Sequence, residues 1–365
     1  MEFYALLLIV FLGTTASRLM RVGSAFAVFN EGWGFLAFLA ASFALGRLLS
    51  SFLGGELTKK FGAKVSSFGL GMLGLVGLGY AFLPSSLYLP LRIVHGLSAG
   101  FTWPSLQAVT MSKVGAEKRG RASSLYFVAS NLGWFFAFTL GGLLSKKTLL
   151  PSALLLLALA AVVSTEKGVV KKEKGRRKGK KLMFVPPTGA LVLSALALGF
   201  MTVLVNTEVA IAAFGAELGK ALAGITLGLA ALIGSGISYF LNRKLIDIME
   251  SDLSMLLPAV STSLSSLLIS LPPPLSVVGL VATKTLTMWW RSSVLGLART
   301  GDVGRRVGAF NAGGDAGRLI GSTFMSLGPW TLPVASIISL VLGTVAWAWA
   351  KASHTRSMVS TKSAE

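Results

Sequence analysis

The sequence predicts an all-α membrane protein of twelve transmembrane helices, arranged as two six-helix bundles. Three observations lead to this fold class. Of the 365 residues, 53% are hydrophobic and only 13% are charged, whereas a soluble protein carries about 25% charged residues. Uncharged apolar runs close to the length that crosses a bilayer as a helix recur along the whole chain. A single strongly basic stretch separates two apolar regions of similar length.

The apolar runs, separated by short polar turns, define twelve predicted helices, called segments 1 to 12. Segments 1 to 6 precede the basic stretch: Phe3–Phe29, Trp33–Leu53, Val65–Leu83, Tyr88–Thr110, Ala122–Leu144 and Thr148–Val163. Segments 7 to 12 follow it: Thr188–Ala213, Ala221–Leu241, Leu253–Leu271, Leu275–Ala298, Val307–Leu327 and Thr331–Ala350. The predicted domains are therefore a first bundle (1–165), a linker (166–187), a second bundle (188–350) and a tail (351–365).

The linker is polybasic. Nine of the fifteen residues from Lys167 to Lys181 are Lys or Arg. Because a run of like charge without apolar periodicity cannot form a core, we expect a solvated connection. Between two membrane-embedded bundles, anionic lipid headgroups are its expected partner, and nucleic acid is not.

The distribution of basic residues predicts the orientation. If the linker is cytoplasmic, 24 of the 34 Lys and Arg residues lie on the cytoplasmic side and only 3 on the other side. Positive residues accumulate on the cytoplasmic side of membrane proteins. We therefore expect both termini in the cytoplasm of a multi-pass plasma-membrane protein. Segment 1 has no basic region before it and no clear cleavage site, so we expect it to be retained.

The composition argues against an enzyme. The chain has no cysteine and only two histidines, His95 and His354, which removes disulfides, thiolate metal sites and cysteine nucleophiles. The sequence contains no metal-ligand cluster, no pairing of a nucleophile with a base and no Gly-x-x-x-x-Gly-Lys-[Ser/Thr] loop for ATP. No cofactor is predicted.

A weak internal repeat links the two bundles. Gly120-Arg121 followed by Asn131-x-Gly133 is matched, 184 residues later, by Gly304-Arg305 and Asp315-x-Gly317. Two six-helix repeats joined by a cytoplasmic linker are the layout of a secondary transporter, whose substrate site lies near the membrane midplane between the repeats.

The stretch after segment 2 reads Gly55-Glu56-Leu57-Thr58-Lys59-Lys60-Phe61-Gly62-Ala63-Lys64. It resembles the first signature of the major facilitator superfamily, Gly-x-Leu-x-Asp-[Arg/Lys]-x-Gly-[Arg/Lys]-[Arg/Lys]. The family's acid, which latches the cytoplasmic gate by charge pairing, is replaced by Lys59, while Leu245-Ile246-Asp247 keeps an acid in the second half. The resemblance implies a set of gating residues: Gly55, Leu57, Lys60, Gly62, Lys64, Arg121, Asp247 and Arg305.

Two more motifs carry the resemblance, which covers nearly the whole chain. Segment 4 contains Arg92-Ile93-Val94-His95-Gly96-x-x-x-Gly100, similar to the family's Arg-x-x-Gln-Gly-x-Gly pattern with His95 at the glutamine. Segment 5 keeps the outer frame of the antiporter signature, Gly133 and Gly141-Gly142, but has Ala137-Phe138 where that signature has Gly-Pro. The resemblance implies transport by alternating access, with segments 1, 4, 7 and 10 lining the cavity.

Charged residues inside the segments predict the chemistry of the site, because each costs about 2.5–3.5 kcal/mol at the bilayer centre and needs a reason. Seven are basic: Arg18, Arg21, Arg47, Arg92, Lys284, Arg291 and Arg318. Only Glu208 and Asp315 are acidic. An excess of cations favours an organic or phosphorylated anion as substrate, held by arginine forks. The predicted substrate-binding residues are Arg18, Arg21, Arg92, Trp103, Gln107, Asn206, Lys284 and Arg291.

Proton coupling is predicted through Glu208, Asp315 or His95, although His95 is equally consistent with a hydrogen-bonded helix residue. Arg21 and Arg92 have the alternative of reaching the outer headgroups. Arg47 and Arg318 fit internal pairing, with Arg318 three residues after Asp315 on helix 11. The glycines of segments 4 and 5 fit close helix packing. The predicted stripe on segment 4 runs through Arg92, Gly96, Gly100, Trp103 and Gln107.

Two alternative functions stay open at this point. One is a proton-coupled drug or metabolite efflux antiporter, favoured by the partial signature in segment 5. The other is a membrane sensor or lipid-binding protein that does not transport, which the repeated frame disfavours. For either transporter the expected partners are a small-molecule substrate and a proton or another coupling ion, and the expected state is a monomer.

Overall fold

The structure, a computed structural model, describes residues 1–114, 119–166, 184, 186–206, 208–245, 252–297 and 303–362. The helices in the first half are α1 (Phe3–Ala27), α2 (Trp33–Phe61), α3 (Ala63–Phe82), α4 (Tyr88–Ser112), α5 (Arg119–Leu144) and α6 (Leu149–Ser164). Those in the second half are α7 (Thr188–Asn206), α8 (Glu208–Leu245), α9 (Leu253–Leu267), α10 (Leu275–Leu297), α11 (Val303–Met325) and α12 (Thr331–Lys362). The polybasic run and Asp247 lie outside the described residues.

Helices α2 and α12 are longer than predicted. Helix α2 continues to Phe61, so the motif that begins at Gly55 lies on a helix and not in a loop. Helix α12 continues to Lys362, well into the predicted tail. The predicted helices end where the apolar residues end, at Leu53 and Ala350. The observed helices continue beyond these points, because a helix can extend into polar surroundings. Helix α2 stops at Gly62, whose φ of 58° favours glycine because it has no Cβ.

The reversal between segments 7 and 8 lies where the sequence predicts it, between Ala213 and Ala221. Helix α7 ends at Asn206, and α8 begins at Glu208. Helix α8 is interrupted at Gly219, which has φ 74° and ψ 164°. The reversal between segments 7 and 8 is therefore at Gly219, and residues 208–218 form the second part of segment 7. Glu208 therefore belongs to segment 7, inside an otherwise apolar region.

The helices pack in a repeated order. In the first half, α1 packs against α5, α2 against α4, and α3 against α6. The second half has the same three pairings six helices later, namely α7 with α11, α8 with α10, and α9 with α12. The two halves meet where α2 packs against α11 and where α5 packs against α8. Each of these contacts is the counterpart of the other, because α8 and α11 in the second half correspond to α2 and α5 in the first. The repeat that the sequence motifs indicated is thus present in the packing.

The end of the molecule that carries Met1 and Glu166 is the terminal end. The opposite end, which carries Trp33 and Met325, is the distal end. At the terminal end, near residue 1, Lys113 donates to Glu166 at 2.8 Å, and the amino group of Met1 pairs with the same carboxylate. Burial raises the pKa of the Glu166 carboxyl, but hydrogen bonds and charges from these two partners outweigh burial and hold the pKa below its usual range. At the distal end, the indole of Trp33 donates to the carbonyl of Met325 across the halves.

Seven stretches within the described residues are long and apolar enough to cross a membrane. Two of them, Leu125–Ser164 and Thr188–Leu241, each contain two of the helices. Helices α4, α10 and α11 are not in this set. Each of these three helices carries a buried charged residue: Arg92, Lys284 and Asp315, respectively. Their low hydropathy therefore reflects charge turned toward the protein interior.

Glycines bring α2 and α4 into close contact. A Cβ at Gly96 would lie 2.1 Å from the carbonyl oxygen of Phe43, and one at Gly46 would lie 2.0 Å from that of Ile93. In α5, a Cβ at Gly142 would lie 2.8 Å from the Cα of Gly224 in α8. These distances agree with the packing interpretation of the glycines. The predicted stripe on α4 is wrong at Gly96, because this residue faces α2 and does not line a cavity.

We expect Gly96→Ala to lower the thermal unfolding midpoint of the purified protein in detergent. The new methyl group must push α2 and α4 apart, and overpacking of this kind costs about 1–3 kcal/mol. Gly236→Ala in α8 is the matched control, because a Cβ there meets nothing within 4 Å and alanine favours a helix by about 1 kcal/mol over glycine. Equal midpoints for the two variants would contradict the close contact.

Candidate functional site

A buried cluster of charges joins the two halves near the distal end. Glu208 of α8 accepts from Arg21 of α1 through Nε at 2.8 Å and Nη2 at 2.7 Å. The Nη2 of Arg92 on α4 lies 3.3 Å from the same carboxylate. Relative exposures are 8% for Arg21, 0% for Arg92 and 1% for Glu208. Arg21 is six residues before the end of α1, so the cluster lies roughly 9 Å inside the distal end.

The first half holds both arginines in place. The guanidinium of Arg21 lies over the ring of Phe43, 4.1 Å from its centroid. Arg92 donates to the hydroxyl of Ser24 at 2.9 Å and to the carbonyl of Arg21 at 3.1 Å, and it lies over the ring of Tyr80. These contacts point both side chains inward, so the alternative in which they reach the outer headgroups is wrong. Their pairing with Glu208 replaces the hydration that the two guanidinium groups would otherwise need.

His95 lies beside this cluster, one helical turn after Arg92. Its Nε2 is 3.2 Å from the hydroxyl of Ser17, and its ring meets Phe43 edge-on with centroids 5.2 Å apart. The imidazole is fully buried, and both of these contacts are with residues of the first half. These contacts fit the alternative to proton coupling, in which His95 is a hydrogen-bonded residue packed between helices.

A second cluster surrounds Asp315 at the middle of the interface between α2 and α11. Arg318 donates to Asp315 Oδ1 at 2.8 Å, which confirms the predicted pair within helix α11. Across the interface, Ser51 donates to Oδ2 at 2.9 Å and Arg47 lies 3.4 Å from that oxygen. Arg318 also donates to Thr202. In the part of the chain that the structure describes, no three His, Asp or Glu side chains are grouped as metal ligands.

Three other cations approach the interface without a salt bridge to an acid of the described residues. Arg18 of α1 donates to the carbonyl and hydroxyl of Ser130 on α5 and lies 4.6 Å from the centroid of the Trp134 ring. Lys284 of α10, fully buried, donates to the carbonyls of Val205 and Leu227. Arg291 lies over the ring of Phe127 at 5.2 Å.

Trp134 brings cations from both halves together. The ammonium of Lys284 is 5.9 Å from its ring and 4.7 Å from the ring of Phe138, which stacks on Trp134. Arg18 also lies close enough to Arg291 and Arg47 for their positive charges to repel its own. The result is a region of positive charge between the halves, with aromatic rings on its α5 side.

The structure brings some of the other predicted site residues near this region. Trp103 packs toward α1, where a Cβ at Gly13 would lie 3.4 Å from its ring. Its carbonyl accepts from the hydroxyl of Tyr126 on α5 at 3.4 Å. Gln107 is half-buried one turn further along α4. Asn206 ends α7, and its side chain lies outside the described part of the chain.

The predicted gating residues lie at the terminal end. Leu57, Lys60 and Lys64 are exposed, and the ammonium of Lys60 lies over the ring of Phe61. The carbonyl of Gly62 accepts from Ser105 of α4 at 3.4 Å. Gly55 lies on helix α2. The side chains of Arg121 and Arg305 lie outside the described part, as does the whole of Asp247. Their gating role therefore stays a prediction.

Sequence reasoning missed one face of α5. Phe127, Ser130, Trp134 and Phe138 recur every three or four residues, which places them on one side of a helix. These residues contact Arg18, Lys284 and Arg291. The spacing was visible in the sequence, but segment 5 was interpreted through its glycines alone. Aromatic residues at helical spacing were the available signal.

Comparisons with known proteins are consistent with this architecture. A sequence profile of the Major Facilitator Superfamily matches residues 5–322. Two solved structures of a bacterial homologue of the human lysosomal transporter Spinster have similar folds. The inward-facing, occupied form is 13% identical, with a TM-score of 0.67 and 96% of each chain covered. The inward-facing, unoccupied form is 12% identical, with a TM-score of 0.68 and 95% covered in each. No curated protein matches the chain as a relative.

We expect Glu208→Gln to lower the thermal unfolding midpoint strongly, because it leaves two buried guanidinium groups without an acid. Removal of one partner from a buried ion pair costs about 3–5 kcal/mol. Adding Arg21→Met to the same chain should recover part of the loss, since one unpaired charge is removed. Lys351→Gln is the control, because this lysine is 60% exposed in its pair with Asp252 and surface pairs contribute about 0–1 kcal/mol. Additive losses in the double variant would contradict the pairing.

Proposed function

The chain belongs to the major facilitator superfamily, and on that premise we propose that it moves an organic or phosphorylated anion by alternating access, with proton coupling. The family consists of secondary transporters and not enzymes, so the chain is a multi-pass membrane protein with a small-molecule substrate. The nature of the substrate and of the coupling ion is our proposal. Glu208, Asp315 and His95 are the candidates for carrying the proton.

One observation carries the anion proposal. The two buried carboxylates of the described helices are already paired, Glu208 with Arg21 and Arg92, and Asp315 with Arg318 and Arg47. Within the described residues, the contacts of Arg18, Lys284 and Arg291 are with carbonyls, a hydroxyl and aromatic rings. Buried cations without an acid are costly. A bound carboxylate or phosphate relieves that cost through charge-assisted hydrogen bonds.

The arrangement in the membrane follows from the same premise. We propose that all twelve helices cross the bilayer, with α1–α6 as one bundle (1–165) and α7–α12 as the other (188–350). The terminal end then faces the cytoplasm, as the distribution of basic residues predicts. The polybasic linker (166–187) lies against anionic headgroups of the cytoplasmic leaflet, and the distal end faces outward.

Contacts between the halves support a state that is closed at the distal end. The bonds from Trp33 to Met325 and from Arg21 to Glu208 cross the interface there. Alternating access requires these contacts to break when the distal end opens. The efflux alternative rests on the incomplete antiporter signature of α5, and the cationic interface disfavours it for lipophilic cations. The alternative of a membrane sensor that does not transport is supported only by the ion-paired clusters around Glu208 and Asp315.

The first test is a thermal-shift screen of the purified protein with succinate, sulfate, inorganic phosphate, sugars and lipophilic cations. A ligand that binds the folded state raises the midpoint, and we expect the anions to do so. Arg18→Gln and Lys284→Gln should each weaken anion binding roughly 10- to 150-fold, since a hydrogen bond to a charged group contributes about 1.5–3 kcal/mol. Lys146→Gln, at an exposed lysine on the distal end, should have no effect. Stabilisation by lipophilic cations alone would refute the anion proposal.

A second test locks the distal end with a disulfide, which the chain's lack of cysteine makes simple. A Cβ at Gly34 would lie 3.8 Å from the carbonyl oxygen of Ser326 in the other half. Oxidation of the pair Gly34→Cys and Ser326→Cys should stop uptake of the anion identified in the screen, and reduction should restore it. The matched control is Ser67→Cys with Ala160→Cys, which joins α3 and α6 within one half. Full transport by the locked protein would contradict alternating access.

A further inference from the structure

We propose that Glu208 is an internal substitute for the transported anion: opening of the distal end exchanges Glu208 on Arg21 and Arg92 for a substrate carboxylate or phosphate, and Glu208 then takes a proton. The inference rests on the proposed function and deepens it. It assigns a distal anion site, selects one of three candidate proton carriers, and makes the coupled movement a symport of anion and proton.

The first step concerns which partners each acid keeps. Both cations of Glu208 belong to the first half, Arg21 on α1 and Arg92 on α4, while Glu208 belongs to the second half. When the halves separate at the distal end, Glu208 loses both partners together. Asp315 loses Arg47 but keeps Arg318, which is three residues away on its own helix. Only Glu208 becomes an isolated carboxylate.

The second step concerns the proton. When the distal end closes again over the bound anion, Glu208 returns to a low-dielectric interior without its cations. A carboxylate there is neutralised, because an unpaired charge is far more costly in low dielectric than a protonated acid. His95 is in the opposite position, since Ser17, Phe43 and Tyr80 around it all move with the first half. The departure of Glu208 leaves the histidine beside two unpaired arginines, which disfavour a further positive charge. The proton therefore goes to Glu208.

The third step concerns what the arginines bind next. Arg21 presents its Nε and Nη2 as a fork that matches two oxygens of a carboxylate or phosphate. The ring of Phe43 and the Ser24 hydroxyl keep both guanidinium groups in place without Glu208. Within the described residues, Nε and Nη1 of the fully buried Arg92 have no hydrogen-bond partner. The site is preformed and has unused donors for a further anionic oxygen.

Among the residues that the structure describes, the groups around Glu208 that can carry a charge are the following. Arg21 is on α1, Arg92 and His95 are on α4, and Tyr80 is on α3. On α10, Lys284 donates to the carbonyl of Val205, three residues before Glu208. A switch of Glu208 to Lys284 would keep the acid charged without a proton. Within the described residues, Lys284 contacts carbonyls and aromatic rings. The proton count measured below distinguishes protonation of Glu208 from its pairing with Lys284.

The test is calorimetric titration of the full-length protein in detergent with succinate and with sulfate, which keep their charge near neutral pH. Repeating the titration in buffers of different ionisation enthalpy gives the number of protons taken up. We expect close to one proton per anion for the unaltered protein. We expect none for Glu208→Gln, which should also bind the anion at least tenfold more tightly because the internal competitor is gone. Glu166→Gln, whose acid lies at the terminal end, should keep the proton uptake.

A measurement on the unaltered protein does not depend on whether a variant folds. Binding that takes up one proton gains about tenfold in affinity for each unit by which the pH falls. An affinity that does not change with pH overturns the inference, and so does proton uptake that persists in Glu208→Gln or disappears in Asp315→Asn instead. In these cases anion binding still supports the transporter proposal. Failure of all the anions in the screen to bind would instead refute the proposed function.

Discussion

The pairing of Glu208 with Arg21 and Arg92 is the interaction on which the closed distal end depends. All three side chains are almost fully buried, so each would be prohibitively costly alone. The acid comes from one half and both cations from the other, which makes the ion pair an attraction between bodies that transport must separate. In the proposed mechanism, a proton on Glu208 and an anion on the arginines replace the two sides of this pair.

The second acid performs a different task with the same chemistry. Asp315 shares a helix with Arg318 and reaches Arg47 and Ser51 across the interface. Because it retains one cation in any relative position of the halves, it orients α11 against α2 without becoming isolated. Two carboxylates on one half thus differ in function through the location of their partners. Inspection of either acid alone would not distinguish them.

The cations without acids complete the electrostatic scheme. Arg18 and Lys284, one from each half, approach the same indole of Trp134. A ligand held between them would contact both halves, so its binding energy favours an occluded arrangement. In the proposed mechanism, the distal arginines and these central cations are two positions along one route of the anion. An anion leaving Arg21 as Glu208 returns would meet Arg18 one helical turn deeper on α1.

The sequence alone determined the helices, their number and the excess of internal cations, because hydrophobic length and charge cost are local properties that any bilayer imposes. It also identified Arg21, Arg92 and Glu208 as candidates. Only the tertiary structure decided which cation meets which acid. Pairing depends on how helices far apart in the chain pack, and the aromatic face of α5 carries no charge that marks it. Partner choice, and hence the role of each buried charge, is a property of the fold.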